Sequence, residues 1–202
     1  MAYVNNRPKK KRGGLSFYKK EKKLNKFFVM EVASYIFWAA AMILIGFVLV
    51  FCFGIKTSVI GSSMEPILYN GQEILINRFV YFLSEPKAGD VVVFLPNGNE
   101  NSHYYVKRVI AVPGDTVQIV DGIVYVNSEP YEDGNLYDRI DNPGIAGNPI
   151  VLGEDEYFVL GDNRNNSEDS RSSNIGVVLK SYIIGKVWFH LGTDSETPGF
   201  VK

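Results

Sequence analysis

Residues 104–126 read YYVKRVIAVPGDTVQIVDGIVYV. Apolar and β-branched residues dominate, and no run long enough for a helix keeps a 3.6-residue period. Pro113-Gly114-Asp115 breaks the first run, and Asp121-Gly122 joins the next two as a two-residue hairpin signal. The stretch therefore predicts three strands, Tyr104–Val112, Thr116–Val120 and Ile123–Val126. Short runs of the same kind flank it at Thr57–Ile60, Glu73–Val80, Val91–Leu95, Tyr157–Leu160 and Ile183–His190. With helical periodicity nearly absent after Lys56, the expected fold is mainly β, built of curled antiparallel sheets rather than βαβ units. Residues 129–155 are rich in Gly, Pro, Asn and Asp and read as an irregular insertion in that domain.

The chain upstream has a different character. Val32–Ile55 is 24 residues without a charge. At about 1.5 Å per residue it reaches roughly 36 Å, enough to cross a hydrocarbon core of about 30 Å. The chain of 202 residues has a net charge of -1, which conceals +8 on residues 1–31 and -9 on the remainder. By the positive-inside rule, residues 1–31 form a cytoplasmic basic tail and 32–55 a single transmembrane signal-anchor. Residues 56–202 then form an extracytoplasmic domain. No small-x-small site follows the span, so it is read as uncleaved. The tail suits anionic lipid headgroups rather than nucleic acid. The single cysteine, Cys52, lies within the apolar run and reads as a buried hydrophobe.

Three segments can carry chemistry. Gly61-Ser62-Ser63-Met64-Glu65-Pro66 places a serine after a glycine at a strand end, where backbone N–H groups can face a developing oxyanion. By itself it also reads as a turn. In the strand from Tyr104, Lys107 shares a face with Tyr105, Val109 and Ala111, whereas Arg108 faces with Val106 and Ile110. Both charges can be edge-strand guards. Alternatively, burial lowers the Lys107 pKa and makes its neutral amine a base, a role closed to guanidinium. Gly161-Asp162-Asn163-Arg164-Asn165-Asn166-Ser167-Glu168-Asp169-Ser170-Arg171 is a polar loop. It fails as a calcium loop, because Arg164 takes a ligand position and the sixth place is not Gly. His103 and His190 stand in no motif and read as structural; no metal or other cofactor is expected.

Together these segments resemble the bacterial type I signal peptidases, short Gram-positive-like branch. Ser63-Met64-Glu65-Pro66 is similar to the family's nucleophile box. Gly89-Asp90-Val91-Val92-Val93-Phe94 matches its second box, and Tyr105-Val106-Lys107-Arg108 through Asp115 its lysine box. Gly161-Asp162-Asn163-Arg164 through Arg171 matches its last box. The resemblance implies a membrane-anchored Ser–Lys endopeptidase that removes signal peptides from secretory pre-proteins after Ala-x-Ala. Ser63 would be the nucleophile, Lys107 the general base, and Ser167 the hydroxyl that orients the lysine. Asp169 and Arg171, with Asp162 and Arg164, would hold the loop. Val59, Ile74, Val93, Tyr105 and Val106 would build shallow apolar pockets for small residues. The partners implied are pre-proteins and the lipid bilayer, with no nucleic acid.

The chain departs from the family at two positions. Ile67 stands where Thr is usual. Gly61 stands where some members carry an oxyanion-hole hydroxyl, leaving a backbone N–H, that of Ser63, to supply more of that stabilisation. Two rival classes remain at this level. A self-cleaving repressor would need a DNA-binding domain in place of the apolar run. A membrane-tethered binding domain would tolerate replacement of Ser63, Lys107 and Ser167.

Overall fold

The computed structural model describes residues 26–53, 55–131, 137–193 and 197–201. Most of the expected basic tail, the Cys52 side chain and part of the expected insertion lie outside them. The chain divides into two compact units, residues 1–43 and 44–202.

The apolar run forms one helix, α1, Lys26–Phe53. It is long and apolar enough to cross a membrane by length and composition. Its large side chains, among them Phe27, Ile36, Trp38 and Phe47, are exposed all round rather than along one stripe. Within the described residues the helix already includes Lys26, upstream of the charge-free run, and Ile55 belongs to the first strand.

Among the described residues twelve strands follow: β1 Ile55–Ser58, β2 Glu73–Asn77, β3 Val91–Phe94, β4 Tyr105–Ala111, β5 Thr116–Val120 and β6 Ile123–Val126. They continue with β7 Glu129–Pro130, β8 Ile150–Val151, β9 Glu156–Leu160, β10 Val178–Leu179, β11 Ile183–His190 and β12 Gly199–Phe200. The fold is thus mainly β and antiparallel throughout. One sheet has the order β1-β2-β11-β3-β4-β9-β10, with β12 added against β11; the other has the order β7-β6-β5-β8. Register shifts in β11 at Val187/Phe189 and Ile183/Gly185, and in β4 at Val109/Ala111, curl the larger sheet.

The expected hairpin is present. Val120 pairs with Ile123, and Asp121 and Gly122 both take positive φ (50° and 76°), as a twist-matched two-residue turn requires. The stretch 129–155 is less detached than its composition suggests. It supplies β7 and β8 to the smaller sheet, and Ile140, Ala146 and Leu152 enter one core cluster with Ile110, Ile119 and Phe158.

β4 explains how a lysine comes to be buried. It is interior to the larger sheet, paired with β3 on one side and β9 on the other, and every residue from Val106 to Ala111 is buried. Neither Lys107 nor Arg108 guards an edge; each must be satisfied from within.

Candidate active site

The serine is presented by a turn pinned from below. Met64 and Leu68 are fully buried in the core, and the Glu65 N–H donates to Ser62 O while those of Ile67 and Leu68 donate to Met64 O. Ile67 packs its side chain against the same core cluster, which suits the apolar residue standing there. Gly61 has φ +84°, a region that strains residues with a Cβ, and its N–H is taken by Asn70 Oδ1. Among the described residues the Ser63 N–H donates to no acceptor.

Lys107 reaches this turn from β4. Its Nζ and Ser63 Oγ are hydrogen-bonded at 2.7 Å, and Nζ lies 5.3 Å from the centre of the Tyr105 ring. Lys107 is 4% exposed. Burial pushes its pKa down to about 8, against the pull of the Asp169, Glu168 and Asp162 carboxylates and with some help from Arg171. The pair opens into a cleft of about 380 Å³ whose walls include Val59, Tyr105 and Val106. His103, expected to be merely structural, also lines this cleft. His190 is elsewhere, its Nδ1 2.8 Å from Gln72 Nε2.

Two buried ion pairs hold the polar loop. Arg108 Nε and Nη2 donate to the two oxygens of Asp162, both at 2.8 Å, and Nη1 donates to Gly89 O. Arg171 grips Asp169 in the same bidentate manner at 2.8 Å and also donates to Arg164 O. The Asp169 carboxylate in turn accepts the Gly161 N–H. The Arg164 guanidinium stacks 4.5 Å from the centre of the Tyr137 ring. Asp162, Arg164, Asp169 and Arg171 are therefore gathered into one buried brace.

Other expected site residues fall differently. Ser167 Oγ is buried with no hydrogen-bond partner among the described residues, so the bond to Lys107 that the resemblance implies is not formed. Ser167 sits against Gly161, where a Cβ would run into its Oγ and come within 2.5 Å of Ser63 O. Ile74 and Val93 do not line the cleft. Both are fully buried in the core cluster that also contains Val59 and Val106.

The structure adds residues that pattern reading missed. The Asn163 N–H donates to Ser63 O at 3.0 Å, its side chain donates to Ser62 O, and Asn166 Nδ2 donates to Ser62 Oγ. The loop thus holds the serine turn directly. The 137–147 segment clasps the loop in turn: Asn165 bonds the Arg139 carbonyl and the Asp141 N–H, and the Ile145 N–H donates to Arg171 O. In the sequence Arg108 stands out only as a strand charge beside Lys107, and nothing singles out Tyr137.

A nucleophile bonded to a base, the base depressed by burial, and a vacant N–H beside the nucleophile make an arrangement suited to acyl transfer. The comparisons agree with that class. Residues 29–191 match the family model described as signal peptidase, peptidase S26. A signal peptidase I P of Bacillus subtilis subsp. natto is 40% identical over 132 residues, covering 62% of this chain and 70% of that protein. A signal peptidase IB of Staphylococcus aureus is 37% identical over 151 residues, covering 67% and 76%. A crystal structure of a signal peptidase I from Enterococcus faecalis aligns with 52% of this chain and 97% of its own, at 26% identity and a TM-score of 0.39. The chain belongs to the bacterial signal peptidase I family of serine peptidases.

Proposed function

We propose that this protein is a membrane-anchored endopeptidase that removes N-terminal signal peptides from secretory pre-proteins after an Ala-x-Ala site, using Ser63 and Lys107. The observation that carries the reading is the 2.7 Å hydrogen bond between Ser63 Oγ and a lysine withdrawn from water. With Lys107 neutral, the Ser63 hydroxyl donates and the amine accepts. As Oγ attacks the scissile carbonyl carbon, its proton passes to Lys107 and the carbonyl π pair moves onto oxygen. The Ser63 N–H is free to meet that oxyanion. Collapse breaks the C–N bond, and Lys107 returns the proton to the departing amine, the mature N-terminus. Water then attacks the ester carbonyl as it gives a proton to the again-neutral Lys107; the C–O bond to Ser63 breaks, Lys107 returns that proton to Ser63 Oγ, and the signal peptide leaves as its carboxylic acid.

The α1 helix serves as the anchor, its basic N-terminal flank on the cytoplasmic side and the β-domain across the membrane. Substrates arrive with the cleavage site just past their own apolar segment, so anchoring raises the local concentration of enzyme where the bond emerges.

The pH profile tests the base. A lysine at about 8 is roughly one-tenth neutral at pH 7, so kcat/KM on a pre-protein rises nearly tenfold per unit below pH 8 and levels above it. A rate flat from pH 6 to pH 10 contradicts Lys107 as base.

Gly161→Ala tests the packing beneath the dyad. The added methyl group must displace Ser167 or the Ser63 carbonyl. Since a 1 Å misplacement of a reacting group costs about 10²-fold, kcat/KM is expected to fall by that order. Activity within twofold of the parent, read with the same pre-protein, would show that the close approach does not position Ser63.

A further inference from the structure

The cleft beside Ser63 has apolar walls from Val59, Ile60 and Val106, and one charged group at its rim makes or breaks no bond in the chemistry above. Among the described residues lining the cleft, Glu168 is the only carboxylate. It is exposed, yet it is not free to wander. The Tyr105 hydroxyl donates to its Oε2 at 3.2 Å, and Asn174 Nδ2 lies 3.5 Å from Oε1. Tyr105 is itself a cleft wall and lies under the Lys107 ammonium, so the carboxylate is tethered to the surface over which substrate backbone must pass. The other carboxylates near Lys107 face inward: Asp169 and Asp162 are each bound bidentately by an arginine and buried. Among the described residues Glu168 alone presents negative charge to the cleft.

We infer that Glu168 is a specificity-determining residue, favouring pre-proteins with a basic residue, and disfavouring those with an acidic one, in the stretch that flanks the scissile bond. The inference rests on the peptidase reading above and deepens it. A partly exposed charge pair of this kind discriminates modestly, about twofold to fivefold, and the effect shrinks as salt screens it. A substrate Lys or Arg beside Glu168 gains a partner; a substrate Asp or Glu meets a fixed like charge.

The same carboxylate acts on Lys107 from the rim. The groups facing Lys107 are Ser63 from the turn, Tyr105 on its own strand, and Asp162, Glu168, Asp169 and Arg171 from the loop, with His103 on the cleft wall. Glu168 favours the ammonium form. Its neutralisation therefore moves the acid limb of the pH profile to lower pH.

The test uses the full chain in detergent micelles with synthetic peptides spanning an Ala-x-Ala site. Lys, Gln or Glu is placed in turn at the middle position of that site and at the first two residues after the bond. The parent is expected to cleave the Lys peptide about twofold to fivefold faster than the Glu peptide at one or more of these positions. Glu168→Gln brings that ratio to one and shifts the acid limb downward, while Glu168→Lys inverts the ratio. A ratio unchanged in Glu168→Gln, or a parent that discriminates nowhere while cleaving the Gln peptides normally, overturns this inference alone. A parent that cleaves no peptide in the series overturns the peptidase reading and this inference with it.

Discussion

Replacing Lys107 with alanine is expected to lower kcat/KM on a pre-protein by about 10⁴-fold or more, with the fold intact. A positioned general base contributes roughly 10²–10⁴-fold, and groups that act as one unit with a nucleophile lose still more when removed. The fold survives because the lysine is not a structural asset. Burial already works against its charged form, which is why its pKa sits near 8. Three further variants sharpen the result. Ser63→Ala is expected to lose as much activity, and Ser63→Ala with Lys107→Ala little more than either alone, because a dyad is lost once. Lys107→Arg keeps a cation on β4 but is expected to be as inactive as Lys107→Ala, since guanidinium does not give up its proton. Single-turnover cleavage checks all four. Additive losses in the double variant, or activity in Lys107→Arg, would mean that the 2.7 Å contact is not a working base–nucleophile pair.

The second large effect is on stability. Asp162→Ala removes the carboxylate that chelates Arg108 through two 2.8 Å hydrogen bonds in a site where both side chains are almost wholly buried. Breaking a buried pair by deleting one partner typically costs about 3–5 kcal/mol, because the remaining charge keeps its desolvation penalty. For a chain of this size that lowers Tm by roughly 10 °C. Replacing both partners, Arg108→Met with Asp162→Leu, is expected to recover much of the loss, since an apolar pair of similar volume carries no such penalty. Thermal unfolding of the full chain in detergent, followed by circular dichroism, measures both. A fall in Tm of less than a few degrees in Asp162→Ala would show that the Gly89 carbonyl and the Tyr137 ring hold Arg108 without the carboxylate. The loop would then owe its shape mainly to Asp169 and Arg171.

Strands with local signals were legible in sequence. The β-branched runs around β4, β5 and β6 and the Asp121-Gly122 turn carry their instructions within a few residues, and α1 carries its own in composition. Ser63, Lys107 and the four loop charges were legible through their motifs, and the structure brings them together. What stayed hidden depends on contacts between residues far apart in the chain. Nothing local in Asn163 or Asn166 says that they hold Ser62 and Ser63, a hundred residues upstream. Nothing in a Gly/Pro/Asn-rich stretch says that Gly144 and Ile145 close against the Arg171 carbonyl. The family resemblance carries residue roles over position by position, and it does not see how this chain's own packing covers a side chain. Ile74 and Val93, expected in the pockets, are core, and Ser167, expected on Lys107, is packed on Gly161. In each case the deciding quantity is the distance to a surface built by another part of the chain.

The most direct test of the central claim reads the product rather than the rate. The full-length protein in detergent is incubated with a secretory pre-protein whose signal ends in Ala-x-Ala, beside samples of the Ser63→Ala variant. The mass of the mature chain then fixes its new N-terminus. The account predicts a single cut immediately after the final Ala by the parent and intact pre-protein with the variant. Cleavage at the same bond by folded Ser63→Ala, or no cleavage by the folded parent, would contradict it.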